Sequence, residues 1–278
     1  MEEFYSNVCT ECSRLITQRY STSFTMGIKT LSVELRQPIY SIYGFVRLAD
    51  EIVDTFHRHD KASLLERFKL DTYEAIHNGI SLNPVLQAFQ QVVNEYKIDH
   101  KLIDAFLYSM EMDLHHCRYD DNLYEQYIYG SAEVVGLMCL QVFCNRNLEL
   151  YERLETPAKA LGAAFQKVNF LRDMRSDYAE RGRVYFPGVN FDQFSNQVKA
   201  EIEQDIERDF NRAHEGIMAL PPGAKWGVYL AYTYYRNLFN QIKIADANLL
   251  MQKRIRVPDP KKLYLLVASY FQLQLRIM

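Results

Sequence analysis

Tryptophan occurs once in 278 residues, and glycine (11) and proline (8) are scarce for a chain of this length. So little glycine and proline leaves no Gly/Ser/Pro-rich linker, and no internal repeat or low-complexity tract is visible. No segment shows sustained period-2 alternation, which argues against β-strands. The longest apolar stretch, VVGLMCL with VF beyond Gln141, falls well short of the ~20 residues a membrane span needs. The first residues, MEEFYSNVCTEC, are acidic and lack the apolar core of a secretory signal. Net charge is only −3, with a pI near 6.2 and no dense Lys/Arg run, so nucleic acid is not an expected partner. The five cysteines, Cys9, Cys12, Cys117, Cys139 and Cys144, are odd in number and lack framework spacing, as in a reducing compartment. Cys9-x-x-Cys12 lacks two further ligands for zinc and a βαβ context for redox chemistry, so ordinary helix-face cysteines are expected.

What the chain has is hydrophobic mass: 48% hydrophobic residues, with 20 Tyr and 16 Phe. That aromatic content suits a thick core or a large apolar cavity, and composition does not choose between them. Helical periodicity dominates and predicts helices near 3–19, 37–57, 62–78, 82–96, 99–116, 122–144, 149–178, 194–218, 224–252 and 260–276. Pro38 fits the first turn of its helix, and Thr156-Pro157 marks an early kink. One all-α domain over 1–278 is the expectation. The irregular stretch from Ala179 to about Asn190 follows a polar cluster, where loops often serve as lids.

Two stretches carry charge where a core helix is expected. At ~100° per residue, Tyr43, Arg47, Asp50 and Asp54 share a stripe roughly 60° wide, with Glu51 to one side. Ile39, Ile42, Phe45, Val46, Ala49, Ile52 and Val53 cover most of the remaining circumference, so the helix is buried on most sides. Gln166, Asn169, Asp173 and Asp177 form a second stripe, spanning roughly 80°, again with apolar flanks. Each D-x-x-x-D alone arises easily by chance. Two in matched phase on buried helices are a stronger signal, because buried like charges repel unless something positive compensates. Carboxylate and amide oxygens are hard ligands that suit Mg²⁺, or Mn²⁺ in its place, rather than Zn²⁺. Facing Asp pairs would bind Mg²⁺–diphosphate, with Arg47 and Arg172 placed for phosphate oxygens. In YSTSF, the hydroxyls of Ser21, Thr22 and Ser23 suit either a helix cap or further phosphate donors.

These motifs together resemble the squalene/phytoene synthase family, the head-to-head isoprenyl diphosphate synthases. The likeness runs through S-T-S-F, Y-x-x-Y-x-F-x-R-x-x-D-E-x-x-D, YIYGSAEVVG, Q-x-x-N-x-x-R-D-x-x-x-D and R-x-Y-F-P, in order and across nearly the whole chain. The resemblance implies an all-α isoprenoid-synthase helical bundle around a central apolar cavity. It implies Asp50, Asp54, Asp173 and Asp177 as metal ligands, with Gln166 and Asn169 lining the same site. Ser21, Thr22, Ser23, Arg47 and Arg172 would hold diphosphate, and Tyr43 and Tyr129 would face the reacting carbons; Tyr235 and Arg254 are further substrate-binding candidates. Three residues depart from the family pattern: Thr22 stands where many relatives carry Lys, Glu51 where Asp is commoner, and Glu133 where Gly is usual. The last puts a carboxylate near the reacting face.

The activity so implied is condensation of two geranylgeranyl diphosphates to phytoene through a cyclopropylcarbinyl (prephytoene) diphosphate intermediate, as in carotenoid biosynthesis. The alternative is farnesyl diphosphate condensation to dehydrosqualene or squalene. A non-catalytic relative acting as an assembly protein would have lost the Asp pairs, and all four are present. No G-x-G-x-x-G occurs, and NADPH is not expected. Prenyl diphosphates are the expected partners, and the expected location is cytoplasmic. A lipid product implies transient peripheral contact at the inner membrane face, though no patch in the sequence marks where.

Overall fold

Side-chain caps set most helix starts. Ser21, Asp60, Asn83, Asp120, Asn147, Ser195 and Asp246 each accept a backbone N–H of the first turn that would otherwise lack a partner. The computed structural model describes residues 2–115 and 118–277, so Cys117 lies outside the described residues. The helices are α1 (Glu2–Tyr20), α2 (Thr22–Lys29), α3 (Val33–Asp54), α4 (Lys61–Asn78), α5 (Pro84–Tyr96), α6 (His100–His115), α7 (Asp121–Ile128), α8 (Val134–Cys144), α9 (Leu148–Arg181), α10 (Asn196–Ala219), α11 (Pro222–Ile244), α12 (Ala247–Leu250) and α13 (Asp259–Ile277). No strand occurs among the described residues, and the all-α expectation holds.

Several boundaries differ from the periodicity reading. YSTSF does not merely cap α1: Ser21 breaks the chain at φ −146° and then caps the separate helix α2. α3 begins at Val33, which leaves Pro38 inside the helix rather than in its first turn, and Pro157 likewise lies inside a continuous α9. The expected helix 122–144 carries a π turn at Tyr129–Glu133, between α7 and α8. The expected 224–252 splits at Ala245–Asp246 into α11 and α12.

Two large apolar clusters build most of the interior, beside a small third one of Ile217, Tyr229 and Leu273. One joins α3, α4, α5, α6 and α8, and at its heart Phe45 of α3 stacks on Phe89 (centroids 3.8 Å apart, 3° between planes) and touches Phe68 and Phe106. The other joins α7, α9, α10, α11 and α12 with Tyr185, Phe186 and Phe194 from the segment after α9. α9 is fastened to α10 by Lys167, 9% exposed, whose ammonium reaches both Asp205 and Asp209. A cavity of about 550 Å³ lies on the seam between the clusters, with side chains of both on its wall. Cys9 and Cys12 lie on α1, away from it.

The segment Asp121–Cys144 is long and apolar enough to cross a membrane by length and composition, but half of its most apolar window is buried inside the fold. The π turn packs against α6 and α9, and two glycines permit the approach. A Cβ on Gly130 would lie 2.4 Å from the Ala105 carbonyl oxygen, and one on Gly162 would lie 2.7 Å from that of Ala132. Backbone cannot yield as a flexible side chain does. Gly130→Ala is therefore expected to destabilise the protein by about 1–3 kcal/mol, the range for overpacking a core, read as a lower melting temperature. An unchanged melting temperature would mean that α6 yields at Ala105.

Candidate active site

α3 and α9 each show the cavity one face that grades from apolar to charged. On α3 it runs from Ile39 and Ile42 through Tyr43 and Val46 to Arg47 and Asp50; on α9 it runs from Leu154, Ala158 and Leu161 through Phe165 and Gln166 to Asn169 and Arg172. At 1.5 Å per residue, Leu154 to Asn169 spans about 22 Å, so the cavity is a long apolar slot with one polar end. Ser21, Tyr235 and Arg254 complete that end, and Phe24, Phe165 and Tyr235 line it as a connected aromatic set. Tyr235 donates its hydroxyl hydrogen to Asn169 Oδ1 (3.2 Å), and Gln166 bonds Ser131 Oγ (3.3 Å). Tyr235 and Arg254, the candidates furthest along the chain, thus reach the site.

The four aspartates are held by arginines. Arg172 and Arg254 both clamp Asp173, with Arg254 Nε 2.7 Å from Oδ1. Arg181 bridges the two motifs: Nη1 donates to Asp177 Oδ1 (3.0 Å), and Nε lies 3.5 Å from Asp54 Oδ1. Asp54 also accepts from Arg183 Nη1 (3.0 Å). Asp54 and Asp177, one from each motif, therefore face one another across the Arg181 guanidinium. Compensation is incomplete. Asp50 is raised to about 7, first by burial and then by Asp54, Asp113 and Glu51, against the opposing pull of Arg47. Its side chain is a third open and lines the cavity. Asp177 is also raised to about 7, by burial and by Asp173. Burial pushes the Tyr43 hydroxyl up to about 12.

Arg47 shows what this end is built to receive. Glu51 fixes its Nη2, and its guanidinium lies 4.2 Å from the centroid of the Tyr20 ring. Its Nε is buried without a hydrogen-bond partner among the described residues. A buried unmatched donor costs about 1–3 kcal/mol, so an anionic acceptor in the cavity is favoured. Glu51 lies off the stripe, as its position predicts, and anchors Arg47. Burial alone would raise its carboxyl, but hydrogen bonds from Thr55 and Arg47 outweigh that and hold it low. The oxygen-only donor set and its surplus of negative charge fit a hard divalent cation. Among the described residues, however, no three Asp, Glu, His or Cys side chains converge into a ready-made cluster.

Four expected residues sit elsewhere. Tyr129 is 36% exposed, with the Lys159 ammonium 5.8 Å from its ring centroid, and Tyr127 lines the cavity instead. The cause is the π turn: its extra residue slips the helix phase by ~100°, rotating Tyr129 out and Tyr127 in. Glu133 does not line the cavity; its charged neighbours are Lys159, Lys167 and Asp209, and burial raises its carboxyl. Thr22 is exposed and accepts a hydrogen bond from Lys262 Nζ (3.0 Å) on α13. Ser23 is half-buried and off the cavity wall, whereas Ser21 lines it while capping α2.

The sequence reading missed Asp113 and its partners. This α6 carboxylate, 5% exposed, accepts from the hydroxyls of Tyr127 (2.7 Å), Tyr185 (3.2 Å) and Tyr119 (3.3 Å), and lies 3.5 Å from Arg183. Burial raises it to about 6 despite Arg183. Arg183 also donates to the Asp113 carbonyl oxygen (2.8 Å), and Arg183, Tyr185 and Phe186 are all buried. The stretch expected as a lid is thus fastened beneath the carboxylates by the R-x-Y-F-P residues. Only that motif signalled it.

Arg183→Met should cost about 3–5 kcal/mol in urea unfolding, the range for removing one partner of a buried ion pair; a loss under about 1 kcal/mol would show that the tyrosines alone sustain Asp113. A second outcome concerns pH. Asp50, Asp113 and Asp177 titrate near 6–7 in the fold, against about 4 when unfolded. Raised carboxyls favour the fold while protonated, so this contribution is full below about pH 4 and is lost as pH rises through about 7. The melting temperature in EDTA should therefore fall between pH 5 and pH 8, and a flat or rising profile would contradict the shifts.

Known proteins share this architecture. The squalene/phytoene synthase family model matches residues 17–261. Phytoene synthase of Arthrospira platensis is 30% identical over 298 residues, covering 96% of this chain and 94% of that protein. Phytoene synthase 2 of Solanum lycopersicum is 29% identical, covering 92% and 87% respectively. Among solved structures, a dehydrosqualene synthase in complex with ligand superposes with a TM-score of 0.81 at 20% identity, covering 97% of this chain and 98% of that one. Squalene synthase HpnC from Alicyclobacillus acidocaldarius gives 0.74 at 20% identity, covering 86% and 94%. A family match over most of the length, joined to a slot that grades from apolar to charged at Asp50 and to Asp54 and Asp177 bridged by Arg181 beside it, establishes that this chain belongs to the squalene/phytoene synthase family.

Proposed function

We propose that the protein joins two geranylgeranyl diphosphates head to head to give phytoene. The observation that carries this reading is the slot itself, whose wall runs about 22 Å from Leu154 to Asn169, is apolar as far as Phe165, and ends at Asp50 with Arg47, Arg172 and Arg254. A prenyl diphosphate has the same polarity order along its length. The choice of the C20 substrate rests on the phytoene synthases at 29–30% identity. Farnesyl diphosphate is the second reading, favoured by the superposition on a dehydrosqualene synthase.

Asp50, Asp54, Asp173 and Asp177 would hold Mg²⁺, or Mn²⁺ in its place. When bound, the ion supplies electrostatic stabilisation of the departing diphosphate. The chain does the rest. Arg47 offers its unmatched Nε to phosphate oxygens, with Arg172 and Arg254 beside it at the same end of the slot. Gln166 and Asn169 orient the neutral polar wall below them. Phe24, Tyr43, Phe165 and Tyr235 place aromatic faces along the path of the allylic carbons, where ring quadrupoles favour positive charge and keep out water. No protein nucleophile is required, and the reaction to phytoene takes no nicotinamide.

The experiment is incubation of the purified protein and Mg²⁺ with geranylgeranyl or farnesyl diphosphate, with and without NADPH, followed by identification of the hydrocarbon. Phytoene from the C20 substrate, independent of NADPH, is the expected result; dehydrosqualene or squalene as the dominant product would transfer the assignment to farnesyl diphosphate. Asp50→Asn and Asp173→Asn should each lower turnover by at least about a hundredfold, the scale of losing one preorganised electrostatic group, with the circular dichroism unchanged. Near-normal activity in either variant would remove that residue from the metal set.

A further inference from the structure

α13 has two apolar faces, and only one of them is used. Leu265, Ser269 and Leu273 are buried toward α11, where Trp226 Nε1 donates to Ser269 Oγ (3.3 Å) and the Tyr229 hydroxyl donates to Gln272 (3.2 Å). These contacts fix the orientation of the helix. Its outer face carries Leu263, Tyr264, Val267, Tyr270, Phe271 and Leu275, each 42–73% exposed. At ~100° per residue these six fall within an arc of roughly 140°, interrupted only by Gln274. This arc lies beyond residue 261, where the family match ends.

The approach to this face is basic. Lys253, Arg254, Arg256, Lys261 and Lys262 lie within ten residues that contain a single acid, Asp259, in a chain whose net charge is −3. Lys253, Arg254, Arg256 and Lys261 are exposed. The segment also borders the polar end of the slot, since Arg254 lines the cavity and Lys262 reaches Thr22 beside Ser21. A helix with an aromatic and aliphatic outer face beside clustered cations matches the surface of an anionic bilayer, whose headgroups take the cations and whose acyl boundary takes the apolar side chains. A protein partner would complement the apolar arc equally well, but it would give the adjoining cations no common counterpart.

We infer that the outer face of α13, with the basic segment 253–261, is a docking surface for an anionic lipid bilayer that brings the polar end of the slot to the headgroup plane. The inference does not depend on which prenyl diphosphate is used. Its test is co-sedimentation of the full chain with vesicles of phosphatidylglycerol and phosphatidylcholine, or of phosphatidylcholine alone. The protein should pellet with the anionic vesicles, and the bound fraction should fall as salt rises. Two variants separate the contributions: Tyr264→Ser/Phe271→Ser/Leu275→Ser removes the apolar arc, and Lys253→Gln/Arg256→Gln/Lys261→Gln removes cations outside the active site. Each should weaken vesicle binding at least tenfold while leaving turnover in detergent solution unchanged. The proposal is overturned if the protein ignores anionic vesicles, or if both variants bind as the parent does. It is also overturned if the chain forms a dimer in sedimentation equilibrium that the apolar variant dissolves, because a second copy would then cover the face.

Discussion

Mutual repulsion among buried carboxylates is the constraint around which this molecule is arranged. Asp50, Asp54, Asp113, Asp173 and Asp177 come from three helices to one end of the slot without closing into a single cluster, and without countercharge their repulsion would push those helices apart. Five arginines supply it from different directions: Arg47 from α3 itself, Arg172 and Arg181 from α9, and Arg183 and Arg254 from segments beyond it. The segment after α9 is held in place because Arg183 must reach both Asp54 and Asp113. The backs of the charged helices are therefore fastened by strong and unlike means, stacked phenylalanines behind α3 and a buried lysine behind α9.

Compensation stops short of neutrality, and this joins folding to chemistry. Carboxyls raised to about 7 mark free energy the folded chain has not recovered, and a donor left unmatched on Arg47 marks another such cost. A Mg²⁺–diphosphate ligand would answer both at once, offering cations to the aspartates and acceptor oxygens to the guanidinium. Preorganisation of this kind places strain in the free protein so that the charged state along the reaction need not create it.

Much of this was legible because helices report their buried faces in sequence. The phase of Asp50 with Asp54, and of Asp173 with Asp177, followed from spacing alone, as did the displacement of Glu51 to one side. What escaped had no local signature. Asp113 is one of three acids in α6, with Asp104 and Glu111, and belongs to no spaced motif; its partners lie as far as 72 residues away, so only tertiary proximity identifies it. α2 is a single eight-residue helix that composition does not distinguish from a turn. Pro38 and Pro157 were expected at edges because proline interrupts helices, but tertiary packing on both sides outweighs one missing hydrogen bond. Tyr129 was misplaced for a subtler reason. Periodicity assumes one constant angle per residue, and Tyr129–Glu133 does not obey it.

That π turn works as a clutch between two lengths of one continuous helix. Downstream, Ala132, Gly136, Cys139 and Phe143 keep the hydrocarbon wall in phase; upstream, Tyr127 is turned to meet Asp113. Removing one residue would restore a regular helix and turn α7 by about 100° relative to α8. The apolar wall and the carboxylate anchor make incompatible demands on a perfect helix, and one surplus residue lets a single segment meet both. The length of this segment therefore matters separately from its composition, and a one-residue gap here would matter more than most substitutions.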